Sequence, residues 1–381
     1  VLEAVSEFII KMREMYVSAD DDGQAPVVIV AHDWGALVGF RLATEAPVLA
    51  DRFILSNSVH VRLYSPIHLS YINMLFFKPP LLQANIQNRV AVIGQMLRTW
   101  AHNPTNFRPL HHLFTHAKPL LRQLQKSGYI FAFGLPWPLP TILGHIGNFW
   151  MFRILNAFGE SNDPTAPLTG TQGWEILASS LGPSLEELNT ELDIGNKLID
   201  PLDPDEHIKY PISVKSRAST GGWFEKLRLY RENLVASPWN KSLQLVWELN
   251  QIEQFHASIS STSTNTTASS AQKRRGSSAT FKSVGVFDIG PPGSLAAATT
   301  IIWGNKDVAL NMALTMDGIG DYFGVGESHF VVLSQVGHWT PLSSMACGVW
   351  KAVISWAVQG EEGPLKDKLG GFPIAEIKIS S

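Results

Sequence analysis

The chain of 381 residues has only one cysteine, Cys347, so neither disulfides nor thiolate metal sites organise its fold. A large excess of charge of either sign is also lacking. The formal net charge is −3, which leaves no basic footprint for nucleic acid, and no nucleic-acid partner is expected. There is no phosphate-cradling glycine loop and no ligand cluster at zinc spacing, so neither a metal nor an organic cofactor is expected. No signal peptide is read at the N-terminus, and the sparse cysteine fits a reducing compartment, which makes the cytoplasm the expected location. Nothing in the composition sets an oligomeric state. What is plentiful is apolar bulk: 45% hydrophobic residues, with twelve Trp and nineteen Phe, enough for a sizeable core and an aromatic-lined pocket.

Against that background one run stands out, Val27-Val28-Ile29-Val30-Ala31-His32-Asp33-Trp34-Gly35-Ala36. Its β-branched start reads as a buried strand. A sharp turn carrying Asp33 follows, and a helix begins at once and runs to about Ala46. Strand, tight turn and helix form the context of a nucleophile elbow, with Asp33 where Ser is usual. A carboxylate at that tip can attack carbon and form an alkyl ester. Capping of the helix by Asp33 is the plain structural alternative.

Such an ester must be cleaved, which calls for a base near neutral pH. Of the twelve histidines, His338 in Val336-Gly337-His338-Trp339-Thr340-Pro341 follows a strand, His329 to Leu333, and precedes a closing helix read as Leu342 to Val358. Asp307 follows the strand Ala298 to Gly304 and would orient the imidazole. Asp317 and Asp321 compete for that role from farther along. The order nucleophile, acid, histidine is that of the α/β-hydrolases.

Segments 1–60 and 291–381 read as alternating helix and strand, the two halves of one α/β core. An amphipathic helix around Val1–Met12 opens the chain, and Arg52 to Asn57 is a further strand. Residues 61–290 read as a large, mainly helical cap insertion, with helical patches at Leu82–Thr99 and Phe224–Val235. Within it 257–283 is Ser- and Thr-rich, with Lys273-Arg274-Arg275, and reads as a disordered linker. Tyr129 to Phe152 holds no Lys, Arg, Asp or Glu. Its prolines argue against a membrane span, leaving an apolar cap over a pocket, with peripheral membrane contact as the alternative.

Together His32-Asp33-Trp34-Gly35, Trp303-Gly304-Asn305-Lys306-Asp307 and Gly337-His338-Trp339-Thr340 resemble the epoxide hydrolases of the α/β-hydrolase superfamily. Haloalkane dehalogenases share much of this pattern. The resemblance implies an α/β-hydrolase fold, a mostly parallel sheet with helices on both faces. It implies Asp33 as nucleophile, His338 as base and Asp307 as its partner. Trp34 and His32 fall among the oxyanion and substrate-binding groups, Trp34 through its backbone N–H. Two cap tyrosines of the family correspond to Tyr129, in Tyr129-Ile130-Phe131-Ala132-Phe133-Gly134-Leu135-Pro136, and Tyr230, in Leu229-Tyr230-Arg231-Glu232-Asn233. Tyr71 competes for the first. The implied partners are a small apolar epoxide and water, and the implied product is a vicinal diol. Three departures accompany the resemblance. Ala31 stands where Gly is common. No His-Gly-x-Pro run and no strands precede the first helix, so an N-terminally truncated or degenerate member is expected. The stretch 63–126 has no counterpart in the pattern.

Overall fold

The computed structural model describes residues 1–17, 25–60, 80–127, 133–140, 142, 227–228, 230–232, 234–235, 237–262, 293–324 and 327–380. In chain order the main elements are α1 (Leu2–Tyr16), β1 (Val28–His32), α2 (Trp34–Glu45), β2 (Arg52–Ser56), α3 (Pro80–His102), α4 (Arg108–Ser127), α5 (Leu243–Thr262), β3 (Thr299–Gly304), α6 (Met312–Thr315), β4 (His329–Leu333), α7 (Cys347–Val358), α8 (Leu365–Leu369) and β5 (Ala375–Ser380). The five strands form one sheet in the order β1-β2-β3-β4-β5. The first four are parallel and β5 runs antiparallel to β4. This is an α/β architecture with a mostly parallel sheet.

The strands form where β-branched and aliphatic residues run without interruption, and every residue of β2, β3 and β4 is buried. Strands of that kind need cover on both faces. Successive side chains point to opposite faces, so Ile54 and Leu55 report one face each. Ile54, with Ile302 and Val331, packs into a cluster with Val349, Val353 and Trp356 of α7. Leu55 lies under α2, so close that a Cβ on Gly39 would stand 2.4 Å from its Cδ2. Each aliphatic side chain removed from water in this way contributes roughly 1.5–3 kcal/mol. The two edges differ. On β1, Val30 is 46% exposed. On β5, Glu376 and Lys378 face solvent while Ile377 packs inward, a charged alternation that discourages edge-to-edge pairing.

Away from the site, the N-terminal end of β2 is locked by Arg52, which is 1% exposed. Its guanidinium pairs with the Glu361 carboxylate, donates to Thr300 Oγ1 at 3.0 Å and to the Glu327 carbonyl at 2.8 Å, and lies over the Trp356 ring. A charge held this well is stable only while its carboxylate partner remains.

Three elements differ from the sequence reading. The closing helix begins at Cys347 rather than Leu342, because residues 340–346 form a series of turns: Leu342 and Ser343 N–H both return to the Trp339 carbonyl. The strand Ala375–Ser380 was not expected. Helix α5 continues to Thr262, so the first residues of the stretch 257–283 are helical; those from 263 lie outside the described residues.

The chain divides into two compact units, Val1–Lys126 with Leu234–Ser381, and Ser127–Asn233. Within the first, helices that follow 61–79 and precede 263 are tied to the body of the sheet by side chains. Asn85 of α3 donates to the Leu314 and Asp317 carbonyls, and Arg13 of α1 meets His256 of α5 at 2.9 Å. Among the described residues no helix is long and apolar enough to cross a membrane.

Candidate functional site

Parallel strands put all their C-terminal ends on one edge, and four successive strands each deliver one polar residue there. Asp33 follows β1, Asn57 follows β2, Asp307 follows β3 and His338 follows β4.

Asp33 sits at the bend between β1 and α2 with φ 50° and ψ −119°. Glycine enters such a conformation freely and other residues rarely do, so the bend is strained. It is held from both sides: Asp33 N–H donates to the Ser56 carbonyl, extending the β1–β2 ladder, and its own carbonyl accepts from Leu37, opening α2. The side chain is 37% exposed and points at His338, with Oδ1 3.5 Å from Nε2. Capping is not its role, since Asp33 makes no side-chain cap hydrogen bond.

On its other side His338 Nδ1 donates to Asp307 Oδ2 at 2.9 Å. Asp307 is 2% exposed, and each of its carboxylate oxygens accepts twice. Oδ1 accepts from the Ala309 and Leu310 backbones at 2.7 and 2.8 Å; Oδ2 accepts from His338 and from Asn57 Nδ2, the latter at 2.7 Å. Burial pushes this carboxyl up, but the charge and hydrogen bond of His338, with Asn57 and Leu310, outweigh it and hold Asp307 below its ordinary value. For His338, burial disfavours the imidazolium, yet Asp307 and Asp33 together raise it to about 10. Asp317 lies elsewhere, paired with Arg89 at 3.4 Å, and its carboxyl is pushed up by burial.

β1 and β4 are separated by two strands, roughly 14 Å across the sheet, so a loop must carry His338 back to Asp33. Gly304 makes that passage available. A Cβ there would lie 2.1 Å from the Gly337 carbonyl oxygen and 2.6 Å from that of Val336. The His338 loop thus crosses directly over the end of β3, fastened by Lys306 N–H to the Val336 carbonyl and by Asn305 Oδ1 accepting from Gln335 N–H. Gly304→Ala is expected to cost about 1–3 kcal/mol of stability, because two backbone carbonyls rather than a mobile side chain must move. Urea denaturation checks this; a midpoint equal to that of the parent would show that the loop does not cross there.

His32, the last residue of β1, shares a hydrogen bond with Ser56 Oγ at 2.9 Å, and Ser56 Oγ shares one with Thr340 Oγ1 at 2.7 Å. Its ring lies 5.1 Å from those of His338 and Trp339. Its Nε2 is shut off from solvent and finds no hydrogen-bond partner among the described residues. Burial, reinforced by the positive charge of His338, lowers it to about 4, so His32 is neutral at physiological pH. That surrounding makes it a wall against which the His338 ring rests. Trp34 is the first residue of α2, which places its backbone N–H at the positive end of the helix dipole, directly after Asp33.

The stretch 63–126, without a counterpart in the sequence pattern, touches the site through α4. Gln123 Nε2 donates to the Ala309 carbonyl and Gln123 Oε1 accepts from Asn311 N–H at 2.6 Å. Lys126 donates to the carbonyls of Asp307 and Leu310. The loop bearing the acid is therefore held by this helix as well as by β3. Asn57, Ser56, Gln123 and Lys126 were not singled out from the sequence. Only Asn57 left a trace there, as a polar residue ending an apolar strand; in the structure it has φ 41°.

Tyr230 belongs to the 127–233 unit. Its ring meets Phe133 edge-on at 5.1 Å, beside Arg231, which donates to the Phe133 and Leu135 carbonyls and lies over the Trp137 ring. Tyr129 and Tyr71 lie outside the described residues, as do most of Tyr129–Phe152 and the Lys273-Arg274-Arg275 patch. Among the described residues no group of His, Cys, Asp and Glu is disposed to hold a metal ion. The arrangement at the sheet edge can support nucleophilic attack by Asp33 and base catalysis by an oriented imidazole. No protein-family model matches this chain, and no curated protein matches it.

Proposed function

We propose that the chain is an epoxide-hydrolase-like enzyme on the α/β-hydrolase plan, turning small apolar epoxides into vicinal diols through an ester on Asp33. The observation that carries this reading is the line Asp33–His338–Asp307, 3.5 and 2.9 Å between successive side chains at the C-terminal edge of the sheet.

In the proposed reaction Asp33 Oδ1 forms a bond to an epoxide carbon and that carbon's bond to the ring oxygen breaks. The alkoxide takes a proton from a phenol, for which Tyr129 and Tyr230 are the proposed donors, and the phenolate is reprotonated from solvent. The charge state of His338 then matters. With both carboxylates ionised it holds its proton up to about pH 10. Esterification removes the Asp33 charge, so His338 keeps only Asp307 as a negative neighbour and its proton affinity falls. It releases a proton equal to the one the alkoxide consumed and becomes a base only once there is an ester to hydrolyse. Water then adds to the ester carbonyl carbon while His338 accepts its proton. The tetrahedral oxyanion faces the Trp34 N–H, and collapse releases the diol and restores the Asp33 carboxylate.

His338→Gln should trap the ester. Incubated with styrene oxide, this variant is expected to gain the mass of one epoxide on the peptide containing Asp33, to about one equivalent, while the parent forms diol continuously. An absence of adduct in both proteins would favour a non-catalytic, apolar-ligand-binding chain. Halide release from a haloalkane without any diol would make it a dehalogenase.

A further inference from the structure

The chain carries a net charge of −3, yet between Asp51 and Glu160 it holds no Asp or Glu at all, while Lys and Arg recur throughout that stretch. Helix α4 lies in its middle. Its twenty residues span about 30 Å, and none of them is buried. Gln123 fixes which side of it faces inward, through its bonds to Ala309 and Asn311. Phe114 stands about two and a half turns from Gln123 along the helix, and therefore on the opposite side.

That outer side is apolar. Phe107, just ahead of the helix, and Phe114 and Leu121 within it follow one another at intervals of seven residues. They are 68%, 68% and 62% exposed, and Leu124 beside them is 53% exposed. Lys118 and Arg122 run along one flank of this line, both exposed. An exposed Phe and Leu stripe on a helix whose only charged residues are Lys and Arg is the pattern of a helix that lies in a lipid interface. The apolar side chains enter the acyl boundary and long basic ones extend to the headgroups. A second copy docked through the same face would set like cations against each other. The face complements a surface that is both apolar beneath and negative above.

We propose that Phe107, Phe114, Leu121 and Leu124 seat α4 in the interface of an anionic lipid bilayer, with Lys118 and Arg122 at the headgroups. This surface is independent of the chemistry proposed for Asp33. The helix lies along the membrane without crossing it.

The test is co-sedimentation of the full chain with vesicles of phosphatidylcholine alone, or with one lipid in four replaced by phosphatidylserine. The chain is expected to sediment with the anionic vesicles and to be released by salt. Lys118→Gln with Arg122→Gln should weaken binding to them about thirtyfold. Phe114→Ser with Leu121→Ser should weaken it tenfold or more, with an unchanged urea midpoint because both side chains already face solvent. The proposal is overturned if the parent chain stays in the supernatant with anionic vesicles, or if both double variants bind as it does. It is equally overturned if the parent binds no vesicles and is a dimer that Phe114→Ser with Leu121→Ser splits, which assigns the face to a second copy. Loss of urea stability in that variant, with no vesicle binding by the parent, assigns the face to another segment of the same chain.

Discussion

Asp307→Asn is expected to form the Asp33 ester at close to the parent rate and to hydrolyse it about 10⁴-fold more slowly. The asymmetry follows from what Asp307 touches. It does not meet Asp33; it meets four donors, two backbone N–H groups at Oδ1 and the Asn57 amide and His338 Nδ1–H at Oδ2. An asparagine offers one acceptor and one donor to a site that presents only donors. Whichever way its amide turns, an N–H faces another N–H. If it turns toward His338, the imidazole must carry its proton on Nε2, the nitrogen that faces Asp33 and has to accept from water. The ester should therefore accumulate, visible by intact mass, as in His338→Gln. Folding should suffer too, by about 3 kcal/mol or more, since a buried pair loses one partner. The carboxyl of Asp307 is held below its ordinary value. Its contribution to stability is present above the unfolded value and is lost as pH falls through the folded one, so the urea midpoint of this variant should be lowered most clearly at neutral pH. Ester turnover at the parent rate in Asp307→Asn would remove the acid from the proposed mechanism.

Stability of the parent chain is expected to be greatest near pH 6.5 and to fall on both sides. On the acid side the cause is three histidines buried in neutral form. Burial lowers His32, His60 and His329 each to about 4. His338 adds to the effect at His32 and Arg52 adds to it at His329. His60 is typical: its Nε2 meets the Gly293 carbonyl at 2.8 Å, and Phe40 and Tyr322 press on its ring. Unfolding returns each to an ordinary value near 6.5, so between about 6.5 and 4 the unfolded chain binds more protons. Each such proton costs stability about 1.4 kcal/mol per pH unit. His32 and His60 alone would then remove on the order of 7 kcal/mol across that window, comparable with the whole stability of a typical domain. On the alkaline side His338 acts in reverse. Its folded value is raised to about 10, so its contribution is complete below about 6.5 and is lost as pH rises toward 10. Urea titrations followed by Trp fluorescence from pH 4.5 to 9 test this. A stability independent of pH between 6.5 and 5 would contradict the burial of these histidines. His60→Gln should make the acid limb shallower by one proton.

The four parallel strands were legible because each is a run of aliphatic and β-branched residues long enough to be buried on both faces, Arg52–Ser56 and His329–Leu333 being the clearest. Strand Ala375–Ser380 was not, because Glu376 and Lys378 interrupt its apolar residues and only its pairing with β4 gives the alternation meaning. Asp33, His338 and Asp307 could be singled out because each stands just past such a strand. Asn57 could not. Its contact with Asp307 joins residues 250 positions apart, and only the register of β2 on β3 brings them together. The same holds for Gln123 and Lys126, whose helix carries no sequence mark of the loop it grips. The turns at 340–346 were hidden because Leu342, Met345 and Ala346 continue a helical-looking pattern into residues whose N–H groups serve the Trp339 and Ser343 carbonyls.

A last consequence concerns the main-chain angles at position 33. Glycine would relax that bend, and glycine would carry no carboxylate. On the proposed mechanism, any improvement in folding obtained there is an improvement toward inertness, and a lineage selected only for robustness would drift to the side chain with no carboxylate. The tip of the elbow is then a place where durability and the proposed reactivity compete for a single codon.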